Sequence, residues 1–249
     1  MDIQAYLNRI NYHGPLEPTA ETLRQLQVAH LLTVPFENLS IHAHEPIVLS
    51  DAALFEKIVT RRRGGFCYEL NGLFAALLRS LGFEVAMLSA QVANADGDFG
   101  PDFDHMTLMV TTDERWLADV GFGDSFVEPL SLDKSDRHAQ GNRAYRIMKD
   151  AERLVVQRSD SGGEWQPQYR FTLRPYQYSV YEDMCVYHQT SPSSHFTRGR
   201  ICSRLAKRGR ISLSEMRFIT TENEDRHERT IASLQEYSEI LRTEFGIVM

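Results

Sequence analysis

Residues 63–82 constrain the fold more than any other stretch of the chain. Arg63-Gly64-Gly65-Phe66-Cys67 runs without a break into Tyr68–Leu81, where Leu70, Leu73, Phe74, Leu77, Leu78 and Leu81 recur at i, i+3, i+4, i+7, i+8 and i+11. That spacing predicts an amphipathic helix that must bury one face. Gly82 stands where such a helix takes a left-handed residue after its last turn. Two glycines just before the helix allow another backbone to approach closely, and Cys67 falls in the first turn. Any core this chain builds contains that helix, with a thiol at its N-terminal end.

Around this helix the texture of the sequence changes twice. Residues 1 to about 82 read as helical; Thr19–Val34 places Leu23, Leu26, Ala29 and Leu32 at helical spacing, with Thr19 or Thr22 available as a cap. From Phe83 to about Arg174 the chain is a series of short runs rich in β-branched and aromatic residues. These are Phe83–Val92, Met106–Thr112, Trp116–Gly121, Tyr145–Lys149, Leu154–Arg158 and Gln168–Leu173. Turn formers such as Asp96-Gly97, Lys149-Asp150 and Ser161-Gly162-Gly163 separate some of them, which predicts a meander or barrel. After Pro175 the pattern mixes: Ile201–Ala206 and Arg210–Leu213 are expected to pair around Lys207-Arg208-Gly209. Thr230–Phe245 reads as an amphipathic helix with Leu234, Tyr237, Leu241 and Phe245 on one face. Helices followed by strands predict an α+β fold rather than a doubly wound sheet.

Composition narrows the functional classes. The 249 residues are 42% hydrophobic with a formal net charge of −7, which supplies a core and argues against a general nucleic-acid surface. No run approaches the roughly 18 uncharged apolar residues of a membrane span, and MDIQAYLNRI lacks the basic and apolar regions of a signal peptide. Three cysteines, Cys67, Cys185 and Cys202, cannot all pair within one chain. The expectation is a reduced, cytoplasmic setting with no membrane partner.

The chemistry-bearing residues form an ordered set. A cysteine at a helix start meets unpaired N–H groups and the positive end of the helix dipole, which favour its thiolate; the alternative is a small buried hydrophobe. A thiolate nucleophile wants an imidazole beside it and a carboxylate to orient that imidazole. His105 opens the strand-like run His105–Val110, and Asp119 lies near the end of the next run, Trp116–Gly123. Adjacent antiparallel strands would bring the two side chains together. His42 and His44 have no cysteine or carboxylate cluster nearby, so no metal site is expected.

These residues also carry a family resemblance. Val34-Pro35-Phe36-Glu37-Asn38-Leu39, Arg63-Gly64-Gly65-Phe66-Cys67, His105 with its apolar strand, Asp119-Val120-Gly121-Phe122-Gly123 and Ser191-Pro192-Ser193-Ser194-His195-Phe196 occur in register. Together they resemble the arylamine N-acetyltransferases over about residues 30–215. The resemblance implies a helical domain (1–82), a β-barrel domain (83–190) and an α/β lid (191–249), around a Cys-His-Asp core like that of thiol proteases and transglutaminases. It implies Cys67 as the acetyl-accepting nucleophile, His105 as its base and Asp119 as the orienting carboxylate. Phe36, Phe122 and Phe196 would form the acceptor pocket, and Tyr187, Ser193 and Gly123 would contact coenzyme A. Pro101-Asp102-Phe103-Asp104 departs from the small and hydroxyl residues of eukaryotic members.

The implied reaction is ping-pong transfer of acetyl from acetyl-CoA, through a Cys67 thioester, to a small arylamine or arylhydrazine. An amide synthase acting on a carrier-tethered acyl chain is an alternative on the same fold. A thiol hydrolase or transglutaminase would use the same triad with water or lysine as acceptor, and a binding module would not be acylated at all. Elsewhere, Arg63 and Glu37 are expected to form an ion pair beneath the site. The six cations between Arg198 and Arg210 read first as a solvated hairpin face and second as a contact for coenzyme phosphates.

Overall fold

The computed structural model describes residues 1–134, 136–222 and 225–249. The N-terminal part contains α1 (Ile3–Arg9), α2 (Ala20–Thr33), a two-residue strand β1 (Phe36–Glu37), α3 (Leu39–His42), α4 (Asp51–Phe55) and α5 (Cys67–Ser80). A wider helical turn, Glu56–Thr60, extends α4. Thr19 caps α2 by accepting from the Thr22 backbone N–H at 3.2 Å. The predicted central helix is α5. At its start Glu69 reaches back to accept from the Phe66 N–H at 3.1 Å. At its end Gly82 takes a φ of +90°, and the Phe83 N–H closes on the Leu78 carbonyl at 3.0 Å.

Eight antiparallel strands follow: β2 (Glu84–Val92), β3 (His105–Thr111), β4 (Arg115–Ala118), β5 (Leu130–Ser131), β6 (His138–Gln140), β7 (Arg143–Asp150), β8 (Arg153–Asp160) and β9 (Gln166–Tyr176). Their spatial order is β5-β4-β3-β2-β9-β8-β7-β6, and β5 also approaches β7, which curls the sheet into a nearly closed barrel. After it come α6 (Glu182–Thr190), α7 (His195–Arg198), β10 (Ile201–Ala206), β11 (Gly209–Ser214), β12 (Arg217–Glu222), β13 (Asp225–Thr230) and α8 (Leu234–Phe245). Strand β1 joins β10–β13 as the edge of a second sheet, with Phe36 opposite Ser203. The α+β class and the barrel expected from the sequence are both present.

Two predicted boundaries shift for identifiable reasons. The run Trp116–Gly121 is a strand only to Ala118. Beyond it the backbone N–H groups of Asp119, Val120 and Gly121 are taken by side-chain oxygens of Gln27, Asn71 and Asp119 at 2.9–3.1 Å, so they cannot continue a ladder. The C-terminal helix starts at Leu234, not Thr230, because Ser233 accepts from the Glu236 N–H and caps it. Thr230 instead pairs with Arg217 in the second sheet.

Beneath α5 the chain crosses itself tightly. The Glu37 N–H donates to the Gly65 carbonyl at 2.8 Å, and a Cβ at Gly64 would lie 2.0 Å from the Pro35 carbonyl oxygen. The crossing is held by the expected Arg63–Glu37 pair, fully buried, with Nη2–Oε1 at 2.9 Å and Nε–Oε1 at 3.0 Å. The second Glu37 oxygen accepts from the Leu39 N–H at 2.6 Å. Removing Glu37 leaves the buried Arg63 facing only the more distant, half-exposed Glu45 at 3.6 Å among the described carboxylates, so Glu37→Ala is expected to cost about 3–5 kcal/mol. Urea denaturation checks this against Arg61→Ala, an exposed pair to Glu45, which is expected to change stability by no more than about 0.5 kcal/mol.

Candidate active site

Cys67 is the first residue of α5 and is buried. The corner after β4 packs directly on it: a Cβ at Gly121 would lie 2.8 Å from the Cys67 Cα. The Met106 backbone, next to His105 on β3, favours the ionised thiol. The start of α5 and the corner after β4 therefore meet at Cys67.

His105 and Asp119 do come together. His105 Nε2 lies 2.6 Å from Asp119 Oδ2, with both side chains buried. Nε2 is therefore the ring nitrogen committed to the carboxylate. Asp119 accepts further bonds from the Tyr169 hydroxyl at 3.2 Å, the Asn71 Nδ2 at 2.9 Å and the Gly121 N–H at 2.9 Å. Burial acts to raise the Asp119 carboxyl, but His105 and these donors outweigh it and hold it below the usual carboxylate range.

The thiol behaves differently from the expectation drawn from its helix start. Burial pushes the Cys67 thiol well up; the Met106 backbone opposes this, while Asp104, Cys185 and Asp119 add to it. A thiolate in this pocket is disfavoured as an isolated charge. Transfer of its proton to a neighbouring imidazole would lower that cost and couple the two ionisations.

The three predicted pocket aromatics divide into two groups. Phe36 and Phe196 are in ring contact at 6.1 Å, and Phe196 also packs on Phe66 at 5.4 Å. Phe122 lies edge-on to His105 at 5.2 Å and also touches Tyr169. Gly123 links the groups, since a Cβ there would meet the Phe36 ring at 3.5 Å. Tyr187 and Ser193 are exposed on the α6–α7 segment. Asp102 accepts from Gln91 at 3.0 Å. Asp104 lies 3.4 Å from the buried His188, whose other nitrogen meets Ser194 Oγ at 3.0 Å. Cys185 and Cys202 are buried and free, as read from the sequence.

Asn71, Tyr169 and Gln27 were not singled out by sequence reasoning, although all three hold the Asp119 corner. Asn71 carried a signal, being a polar residue one turn after Cys67 on an otherwise apolar helix. Tyr169 and Gln27 carried none. Among the described residues no group of three or more His, Cys, Asp or Glu is arranged to hold a metal ion, and no helix is long and apolar enough to cross a membrane.

The arrangement can deliver a thiol to an electrophilic carbonyl and accept its proton at a positioned imidazole. Residues 19–249 match a protein-family model described as N-acetyltransferase. The chain is 34% identical over 249 residues to the arylamine N-acetyltransferase of Escherichia coli (strain K12), covering 97% of this chain and 87% of that protein. It is 30% identical over 246 residues to proansamycin X synthase of Amycolatopsis mediterranei (strain S699), covering 95% and 94%. Among solved structures, the arylamine N-acetyltransferase of Mycobacterium marinum in complex with CoA superposes with a TM-score of 0.91 at 32% identity, covering 99% of this chain and 93% of that one.

The coupled ionisation has a measurable consequence. Burial raises the Cys67 thiol, so iodoacetamide inactivation of the wild-type protein is expected to follow a midpoint above the free-thiol value of about 8.5. In His105→Gln the proton has no partner, burial acts alone, and the midpoint is expected to move higher still. Identical profiles would show that His105 does not share the Cys67 proton.

Proposed function

The chain belongs to the arylamine N-acetyltransferase family, and from that premise we propose that it transfers an acetyl group from acetyl-CoA to an arylamine or arylhydrazine through a Cys67 thioester. The observation that carries this reading is Cys67 at the start of α5, packed against the Gly121 corner, with the His105–Asp119 pair closed at 2.6 Å. As the Cys67 sulfur attacks the thioester carbonyl, His105 Nδ1 takes its proton and Asp119 steadies the resulting imidazolium through Nε2. CoA leaves as a thiol, taking the proton back. The acceptor amine then attacks the acetyl-cysteine, giving its proton to His105 while the Cys67 sulfur departs. A thioester is exchanged for a thioester in the first half and for an amide in the second, which makes the second half downhill. Backbone N–H groups at the start of α5 are the natural donors to the transient oxyanion.

In this reading Phe36, Phe122 and Phe196 wall the acceptor pocket, and Gly123, Tyr187 and Ser193 contact the donor. The three-part division at residues 82 and 190, with the last part acting as a lid, is part of the same proposal; it draws support from the construction of the barrel entirely from residues 84–176. A cytoplasmic location and a role in acetylating foreign amines also belong to it. A second reading, in which the acyl group is a carrier-tethered chain, draws on the similarity to a protein named as a synthase.

Three outcomes follow. Mixing the protein with acetyl-CoA and no acceptor is expected to add one acetyl group, mapped by mass spectrometry to Cys67 and not to Cys185 or Cys202; an active Cys67→Ala protein would sink the mechanism. Asp119→Asn keeps the shape, removes the charge and disturbs the imidazole tautomer, so Cys67 acetylation is expected to slow by about 10⁴-fold, as in an analogous serine triad. Phe122→Ala removes apolar area worth about 1.5–3 kcal/mol if an acceptor fully buries it. Its KM for a small aniline is expected to rise, or bulkier amines to be admitted, while acetylation by acetyl-CoA changes less. Unchanged acceptor selectivity would remove Phe122 from the pocket.

A further inference from the structure

Two carboxylates act on the Cys67 thiol from nearby, and they are satisfied very differently. Asp119 accepts four hydrogen bonds. Among the described residues the side chain of Asp104, the residue before His105, accepts none and pairs with no lysine or arginine. Its one titratable contact within 4 Å is His188, whose Nε2 lies 3.4 Å from Oδ1. That approach lacks hydrogen-bond geometry, since the buried Nε2 has no hydrogen-bond partner. Gly100 keeps the space beside the other oxygen clear, because a Cβ there would lie 2.8 Å from Oδ2. The Asp104 side chain is 17% exposed, so its unfilled oxygens remain open to an arriving group.

The chain holds Asp104 in this place at a cost. Phe103 before it has a φ of +64°, a left-handed conformation rare for an aromatic side chain. Its N–H donates to Ser89 Oγ at 2.8 Å, its carbonyl accepts from the Tyr68 hydroxyl at 2.6 Å, and its ring packs edge-on against Tyr176 and Tyr181. Such strain persists where neighbours over-determine it, and it clusters at functional positions. On the other side the His188 ring is fixed by Ser194 Oγ at 3.0 Å and packs on Phe66, Tyr68 and Phe196. Phe66 and Tyr68 flank Cys67 in the chain, so one imidazole ties Asp104 to the start of α5 and to the Phe196 ring. Burial is the main influence that raises the Cys67 thiol, and Asp104 adds more to it than Asp119 does. His195, beside His188, is no counter-ion, because burial and then His188 hold it below the ordinary imidazole value.

We propose that Asp104 is a specificity-determining residue for the acceptor: its unfilled carboxylate favours amines that bring a positive charge and turns away those that carry a carboxylate. The inference rests on the acyl-transfer reading above and adds how acceptors are sorted by charge. An acceptor nitrogen must reach the acetyl carbon on the Cys67 sulfur, so every acceptor enters the field that already acts on that sulfur. Phe36, Phe122 and Phe196 offer ring area and no net charge. Asp104 supplies the repulsive element that discrimination by sign requires.

The test uses three acceptors of similar size at saturating acetyl-CoA: neutral 4-aminobenzamide, anionic 4-aminobenzoate and 4-(aminomethyl)aniline, whose alkylamine is protonated at neutral pH. In Asp104→Asn, kcat/KM is expected to rise for the benzoate and fall for the cation, changing their ratio by about tenfold, with the benzamide little affected. Asp104→Ser also removes the charge and is expected to move the ratio in the same sense. Asp102→Asn removes an exposed carboxylate that lies 3.5 Å from Arg153; it is the charge control and should leave the ratio unchanged. A readout without turnover compares alkylation of Cys67 by anionic iodoacetate and neutral iodoacetamide, whose rate ratio is expected to rise about fivefold in Asp104→Asn. Equal factors for all three acceptors would show a structural role and overturn the proposal. An alkylation ratio that rises while the acceptor ratio stays fixed would overturn it too, leaving the charge beside the thiol but outside the acceptor's path. If acetyl-CoA leaves wild-type Cys67 unmodified, the acyl-transfer reading fails and the proposal falls with it. An unchanged acceptor ratio in a protein that does become acetylated removes the Asp104 assignment alone.

Discussion

Four hydrogen bonds on one buried carboxylate tie the helical and barrel parts of this protein together. Asp119 accepts from Asn71 on α5, from Gly121 in its own corner, from His105 on β3 and from Tyr169 on β9. A carboxylate taken this far from water costs several kcal/mol unless its oxygens are filled, and here each oxygen receives two donors. The donors come from as far as 48 positions before and 50 positions after. The network therefore forms only when α5 is seated against the β3–β4 corner and β9 has closed beside it. Assembly of the fold and assembly of the His105–Asp119 pair are one event.

The same logic operates on the other side of α5. Gly64 and Gly65 let the chain pass within hydrogen-bonding distance of residues 35–37, and Arg63 and Glu37 then fill the space beside the crossing. That crossing sets where Phe36 stands, because its strand is pinned between Gly65 and Ser203. It also sets where α5 begins, because Glu69 turns back to the Phe66 N–H and is itself paired with Lys57 at 2.7 Å. Cys67 and Phe36 are thus placed by one close backbone contact. An arginine–glutamate pair that never touches the reacting atoms supports both.

What the sequence made legible follows from how strongly each element is encoded locally. Helix α5 repeats leucine and phenylalanine through three turns and ends in a glycine, so its limits were readable to within one residue. The six β-branched and aromatic runs of the barrel alternate well enough to be found. Strand β13, Asp225–Thr230, consists of polar and charged residues with its side chains exposed; nothing in its composition marks it, and it exists because β12 offers it a ladder. The meeting of His105 and Asp119 was legible because the two open and close successive strand-like runs. The partners that hold Asp119 were not. Tyr169 and Gln27 become neighbours of Asp119 only through strand pairing and helix docking across 50 and 92 residues, and tertiary contacts at that separation leave no periodic trace.

The thiol's surroundings explain why the histidine is indispensable to a chain folded this way. The helix start on its own favours a thiolate, but burial and the nearby carboxylates Asp104 and Asp119 act more strongly against one. A free anion at Cys67 is therefore a high-energy species, and in the proposed mechanism it is reached only as His105 takes the proton. The acetylated cysteine, by contrast, is neutral and pays no such desolvation penalty, so the same dry pocket that resists the bare thiolate accommodates the covalent intermediate. When the acceptor amine expels the sulfur, its proton must already be on its way to His105 for the departing charge to be tolerated. Proton transfer and carbon–sulfur cleavage are in this way coupled by burial: the apolar packing of α5 that stabilises the fold also forbids either step from running far ahead of the other.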